Sequence, residues 1–157
     1  MRMRFWNYVP VLIIASLLAV FSSGCSAFNY EWRQAAKRPT PTNGIAGPWE
    51  GNWLSHSNGH NDKLRCLVTQ VDTNHFDAKF HAAYSHSRFK WIKVHFGYTV
   101  RMETKAARDG VTFRGEENLG ALAGGVYTYE GNANNTNFFS TYKCKYDHGV
   151  FQMHRPQ

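Results

Sequence analysis

Beyond residue 45, apolar side chains recur at every second position, the period that sends alternate residues to opposite faces of a β-strand. Phe76, Ala78, Phe80, Ala82 and Tyr84 alternate with Asp77, Lys79 and His81. Ile92, Val94, Phe96, Tyr98, Val100 and Met102 alternate with Lys93, His95, Thr99, Arg101 and Glu103. These are the two clearest strands. Weaker alternation predicts six more, over Trp49 to Ser55, Lys63 to Val71, Gly110 to Glu116, Gly125 to Asn132, Asn137 to Tyr146 and Gly149 to Arg155. Residues that tolerate left-handed backbone separate them: Ser57-Asn58-Gly59, Asp72-Thr73-Asn74, Arg108-Asp109-Gly110, Asn132 to Asn135 and Asp147-His148-Gly149. No stretch after residue 43 joins helical periodicity to a cap, and the glycines of the Glu117 to Gly124 segment mark a loop.

The fold class that follows is all-β. Eight short-turned strands with no helix to cover them must bury their apolar side against themselves, and closure into a small antiparallel up-and-down barrel does so while removing exposed edges. The inward list is Trp49, Trp53, Phe76, Phe80, Tyr84, Phe96, Tyr98, Phe113, Tyr142, Phe151 and Met153. An eight-stranded barrel is either filled by such side chains or holds one small molecule. The bulk of the aromatics favours filling, the small Ala78, Ala82 and Gly115 favour a pocket, and the pattern leaves both open.

Gly47-Pro48-Trp49-Glu50-Gly51-Asn52-Trp53 resembles the glycine and tryptophan opening of lipocalin and other calycin-type barrels. Gly149-Val150-Phe151-Gln152-Met153-His154-Arg155 is similar to their closing strand, with a terminal Arg placed to lie over the opening Trp. The resemblance implies that first and last strands are neighbours and that the barrel binds a small apolar ligand. The chain departs from lipocalins in its shorter loops and in having no helix after the last strand.

The first 25 residues have another organisation. Arg2 and Arg4 precede an apolar stretch from Val9 to Phe21, followed by Ser22-Ser23-Gly24-Cys25. About a dozen apolar residues with Pro10 near their start fall short of the ~20 that cross hydrocarbon as a helix, so the stretch reads as a removable signal. It resembles the bacterial lipobox, with Ser22 where the family has Leu. That resemblance implies diacylglyceryl modification of Cys25, which becomes the mature N-terminus anchored in the cell envelope, outside the cytoplasm. Ser26 resembles the outer-membrane sorting pattern of bacteria with two membranes. The expected domains are a signal over 1–24, a lipidated N-terminus and tether over 25–46, and the barrel over 47–157. Pro39 and Pro41 discourage regular structure in the tether. Phe28, Tyr30 and Trp32 fit either the membrane interface or a short helix on the domain.

Composition alters this little. The formal net charge is +7, or +5 once Arg2 and Arg4 leave with the signal. Such a balance in an envelope protein favours anionic lipid or polymer. The basic residues form no stripe and carry no stacking motif, so nucleic acid is not an expected partner. Cys66 and Cys144 share the inward parity of their strands and form a candidate disulfide, the alternative being two buried thiols. His56, His60 and Asp62 lie in one loop, yet no second half of a metal site accompanies them, and no cofactor is expected. Adjacent Glu116 and Glu117 face opposite sides of a strand and make no catalytic pair, and Ser55-His56 and Ser85-His86 lack an orienting acid. The expectation is a non-enzymatic, lipid-anchored barrel that binds a small apolar ligand or lipid. The alternative is a side-chain-filled interaction module of the envelope.

Overall fold

The computed structural model describes residues 27–39, 44–85 and 93–157. Eight strands form a closed antiparallel barrel in sequence order: β1 (Gly47–Ser55), β2 (Asn61–Gln70), β3 (His75–Ser85), β4 (Lys93–Ala107), β5 (Gly110–Asn118), β6 (Val126–Ala133), β7 (Asn137–Lys143) and β8 (His148–His154). All eight expected strands are present. Ile92, expected in the fourth, lies outside the described residues, as do the signal segment and Cys25.

Closure is made by β1 on β8, from Glu50 opposite His154 to Ser55 opposite Gly149. The strands approach so closely here that a Cβ at Gly51 would collide with the Gln152 carbonyl, and one at Gly149 with the Leu54 carbonyl. Arg155, just past the last strand, places its guanidinium carbon 3.8 Å from the centroid of the Trp49 ring. It also donates to the carbonyls of Ala46 (2.9 Å), Pro48 (3.3 Å), Gly44 (3.2 Å) and Asn135 (3.2 Å). One planar cation with several donors thus ties the end of the chain to its start, a task suited to guanidinium. The Trp49 indole donates to the Ile45 carbonyl, and Ile45 is itself buried beneath this end.

Inside, Trp49, Phe80, Phe138, Tyr129, Met102 and Val100 are fully buried. Phe113 packs on Phe138 at 4.8 Å and Trp49 on Phe138 at 5.6 Å, so the lower barrel is filled by side chains.

Residues 27–36, expected in the tether, form a helix, α1, packed on the outside of the barrel. Phe28 and Trp32 are spaced i, i+4 and face the same way, and both are buried. Trp32 donates its indole N–H to the Trp49 carbonyl and lies 4.4 Å beneath the Arg65 guanidinium. Glu31 pairs with Lys79 at 2.7 Å. Of the two placements open to the aromatics, Phe28 and Trp32 take the short helix on the domain. Tyr30 is exposed.

Docking of α1 buries an outward-facing histidine. His81 lies flat between the rings of Phe28 (4.8 Å) and His95 (5.3 Å), and its Nε2 has no hydrogen-bond partner among the described residues. Burial first, then the charges of His95 and Arg65, hold its pKa below the usual imidazole value. Lys79 on the same strand adds positive charge, offset by Glu31 of α1. The unfolded chain takes up this proton first as pH falls through about 6.5, so His81 lowers stability as pH drops toward its folded pKa and is neutral in effect above that window.

Two outcomes follow. Arg155→Ala should lower stability by about 2 kcal/mol in chemical denaturation, through loss of charge-assisted bonds and of the stack on Trp49, and Arg155→Lys should restore little of it. His81→Phe should flatten the dependence of the denaturation midpoint on pH between about pH 7 and pH 5, while the native protein loses stability over that interval.

Candidate functional site

The two ends of the barrel differ. At the end holding Trp49 and Arg155 the core is closed. At the other, where β1, β3, β5 and β7 end, the wall parts between two strands. The β4–β5 ladder runs from Ala107 opposite Gly110 to Met102 opposite Gly115 and goes no further among the described residues. The first part of β4 continues paired with β3 alone, up to Lys93 opposite Ser85. On the other side of the gap, β5 continues with β6 to Asn118 opposite Val126.

This parting opens a cavity of about 550 Å³ above the filled core. Its wall includes Trp53 of β1, Ala82 and Tyr84 of β3, Phe96 and Tyr98 of β4, Tyr127 of β6, Tyr142 of β7 and Phe151 of β8. The 3₁₀ turn Ala121–Ala123 between β5 and β6 contributes Ala123, and Leu119 lies before it. Both volume and apolar lining suit a small-molecule site, which typically spans roughly 300–1,000 Å³. The small Ala82 and Gly97 leave room among the large rings.

Several polar groups of the wall are held by hydrogen bonds. Asp147 accepts from the Ser55 hydroxyl at 2.6 Å and from the Tyr142 hydroxyl at 3.0 Å, which joins the end of β1 to β7 and the β7–β8 turn. Burial of the ring, and next its bond to Asp147, raise the Tyr142 pKa. The Tyr127 hydroxyl donates to the Ala123 carbonyl at 2.9 Å and fixes the 3₁₀ turn over the opening. Trp53 donates to the Ala83 carbonyl at 3.0 Å, which sets its indole against the mouth. His60 completes that corner, stacked between Trp53 (5.0 Å) and Tyr84 (4.2 Å). Burial also raises the pKa values of Tyr98, Tyr127 and Tyr129, so these phenols stay neutral across ordinary pH.

The residues expected to line the barrel divide between its two levels. Trp49, Phe76, Phe80, Phe113 and Met153 belong to the filled core, whereas Trp53, Tyr84, Tyr98, Tyr142 and Phe151 face the cavity. Phe96 is the exception to burial. It lies in the cavity wall but is 43% exposed, because the part of β4 that carries it extends beyond the β5 wall that would have covered it. Tyr127, Leu119 and Ala123 join the site unannounced; Tyr127 stands at every-second spacing before the buried Tyr129, and that spacing was the available signal.

Cys66 and Cys144 are both free, which corrects the disulfide expectation. Cys66 is fully buried in β2 and its pKa is raised by that burial, whereas Cys144 lies past β7 in the mouth turn, with β8 and β1 standing between the two strands. The loop histidines also separate. His60 lies 3.8 Å from Asp62, while His56 meets His148 edge-on at 5.8 Å. Among the described residues no group of three or more His, Cys, Asp or Glu is arranged to hold a metal ion, and no helix there is long and apolar enough to cross a membrane.

Comparison with protein-family models, with curated proteins and with solved structures yields no match.

Proposed function

We propose that this protein is a lipid-anchored binding module of the cell envelope, holding one small apolar ligand in the mouth of its barrel without transforming it. The observation that carries this reading is the cavity of about 550 Å³ walled by aromatic rings above a filled core. Burial against such rings rewards an apolar body, and the neutral phenol groups of Tyr98 and Tyr127 offer hydrogen bonds to at most a few polar atoms. The wall's one carboxylate, Asp147, is engaged by Ser55 and Tyr142, which supports holding over acid–base chemistry. The Arg155 stack on Trp49, with β1 paired to β8, supports the likeness to lipocalin-type barrels. Anchoring is supported by the signal-like first segment ending at Cys25.

Filling the cavity tests the reading. The full chain in lipid nanodiscs should bind an apolar fluorescent probe such as anilinonaphthalene sulfonate saturably, one per barrel, seen as energy transfer from tryptophan. Ala82→Phe should weaken binding at least tenfold, and so should Ala123→Trp, whose exposed position on the 3₁₀ turn spares the core. Wild-type affinity in both folded variants would overturn the cavity as the site.

A further inference from the structure

We infer that the mouth of the barrel is a membrane-docking surface, and that the cavity opens onto the bilayer that carries the chain's own N-terminal segment. This rests on the anchored-barrel reading above and adds an orientation to it. Three features converge.

The first is where the exposed apolar side chains stand. Seven large hydrophobic residues are exposed among those described, and four of them lie at the mouth: Val94 (54%), Phe96 (43%), Val126 (45%) and Tyr146 (67%). Val94 and Phe96 are on the overhanging start of β4, Val126 starts β6 on the far side of the parted wall, and Tyr146 is in the β7–β8 turn. Apolar groups gathered around an opening mark an interaction site more than scattered ones do. Lys145 holds its ammonium 5.2 Å from the Tyr146 ring, and such a pairing of aromatic and cation suits the headgroup region of a membrane with anionic lipid.

The second is where the chain enters. α1 begins over β3 and β4, with Phe28 against His81 and His81 against His95, the residue next to Phe96. From there it runs to β1, where Trp32 meets the Trp49 carbonyl. Cys25 precedes Phe28 by three residues in the sequence, and three residues of chain span at most about 11 Å. A lipid on Cys25 therefore holds the β3–β4 side of the mouth close to the bilayer. The first helix on the barrel takes up the slack that a tether of the full 25–46 span would have allowed.

The third is the parted wall itself. Among the described residues, Phe96 and Tyr98 line the cavity on the stretch of β4 that pairs with β3 alone, beside the end of the β4–β5 ladder. An apolar ligand entering from hydrocarbon beside this stretch avoids crossing water, where exposed apolar surface is unfavourable.

A matched pair of tryptophans tests this. Val126 at the mouth and Val71 at the closed end are equally exposed, at 45% each. The full chain, with Val126→Trp or Val71→Trp, is reconstituted in vesicles of phosphatidylethanolamine and phosphatidylglycerol containing a brominated phosphatidylcholine as quencher. After subtraction of the native signal, the tryptophan at 126 should be quenched several-fold more than that at 71. Equal quenching, stronger quenching at 71, or none at either overturns the docking. The probe titration separates the two claims. Saturable binding with no quenching at 126 leaves the cavity reading intact and removes the orientation. Quenching at 126 without saturable binding upholds the docking and removes the ligand.

Discussion

The pairing of β1 with β8 is the constraint on which the molecule depends. An eight-strand meander has two edges and one apolar face, and both problems are solved in a single step when the edges meet. The seam is narrow because Gly51 and Gly149 let the two backbones approach, and it is locked beyond its end by Arg155 on Trp49. The guanidinium stacks on the ring and caps the carbonyls of Gly44, Ala46 and Pro48 in the entering backbone.

Closure at one end permits opening at the other. Because β4 is longer than its neighbour's ladder, the wall parts above Met102 and Gly115, and the rings that would have met across the barrel line a cavity instead. Trp53, Tyr84 and His60 form a stacked corner, and Asp147 ties Ser55 to Tyr142, so the mouth is shaped by fixed contacts on several strands. The two outcomes that alternation left open for the interior, filled or hollow, are thus both realised, one above the other.

The strands and their order were legible because period-two alternation and turn residues are local signals, and closure followed from the want of any covering helix after residue 43. The division of the interior was not, since alternation reports which side of a strand a residue takes but not whether a wall stands opposite. Phe96 shows the difference: it has inward parity and stays exposed on an overhang. α1 was half legible. Phe28 and Trp32 have i, i+4 spacing, but Pro39 and Pro41 beside them masked a helix of ten residues within a segment of linker composition. The burial of outward-facing His81 follows from that helix, so its environment was hidden with it. Cys66 and Cys144 misled for a related reason, because shared parity says nothing about height along the barrel.

Native mass spectrometry of the full chain, purified from the envelope of its own host and released from mild detergent, decides whether the cavity holds a ligand. A discrete added mass at one copy per barrel, lost when Ala82→Phe fills the cavity, is the expected result. A bare barrel from the same preparation, unchanged by added lipid, would contradict it.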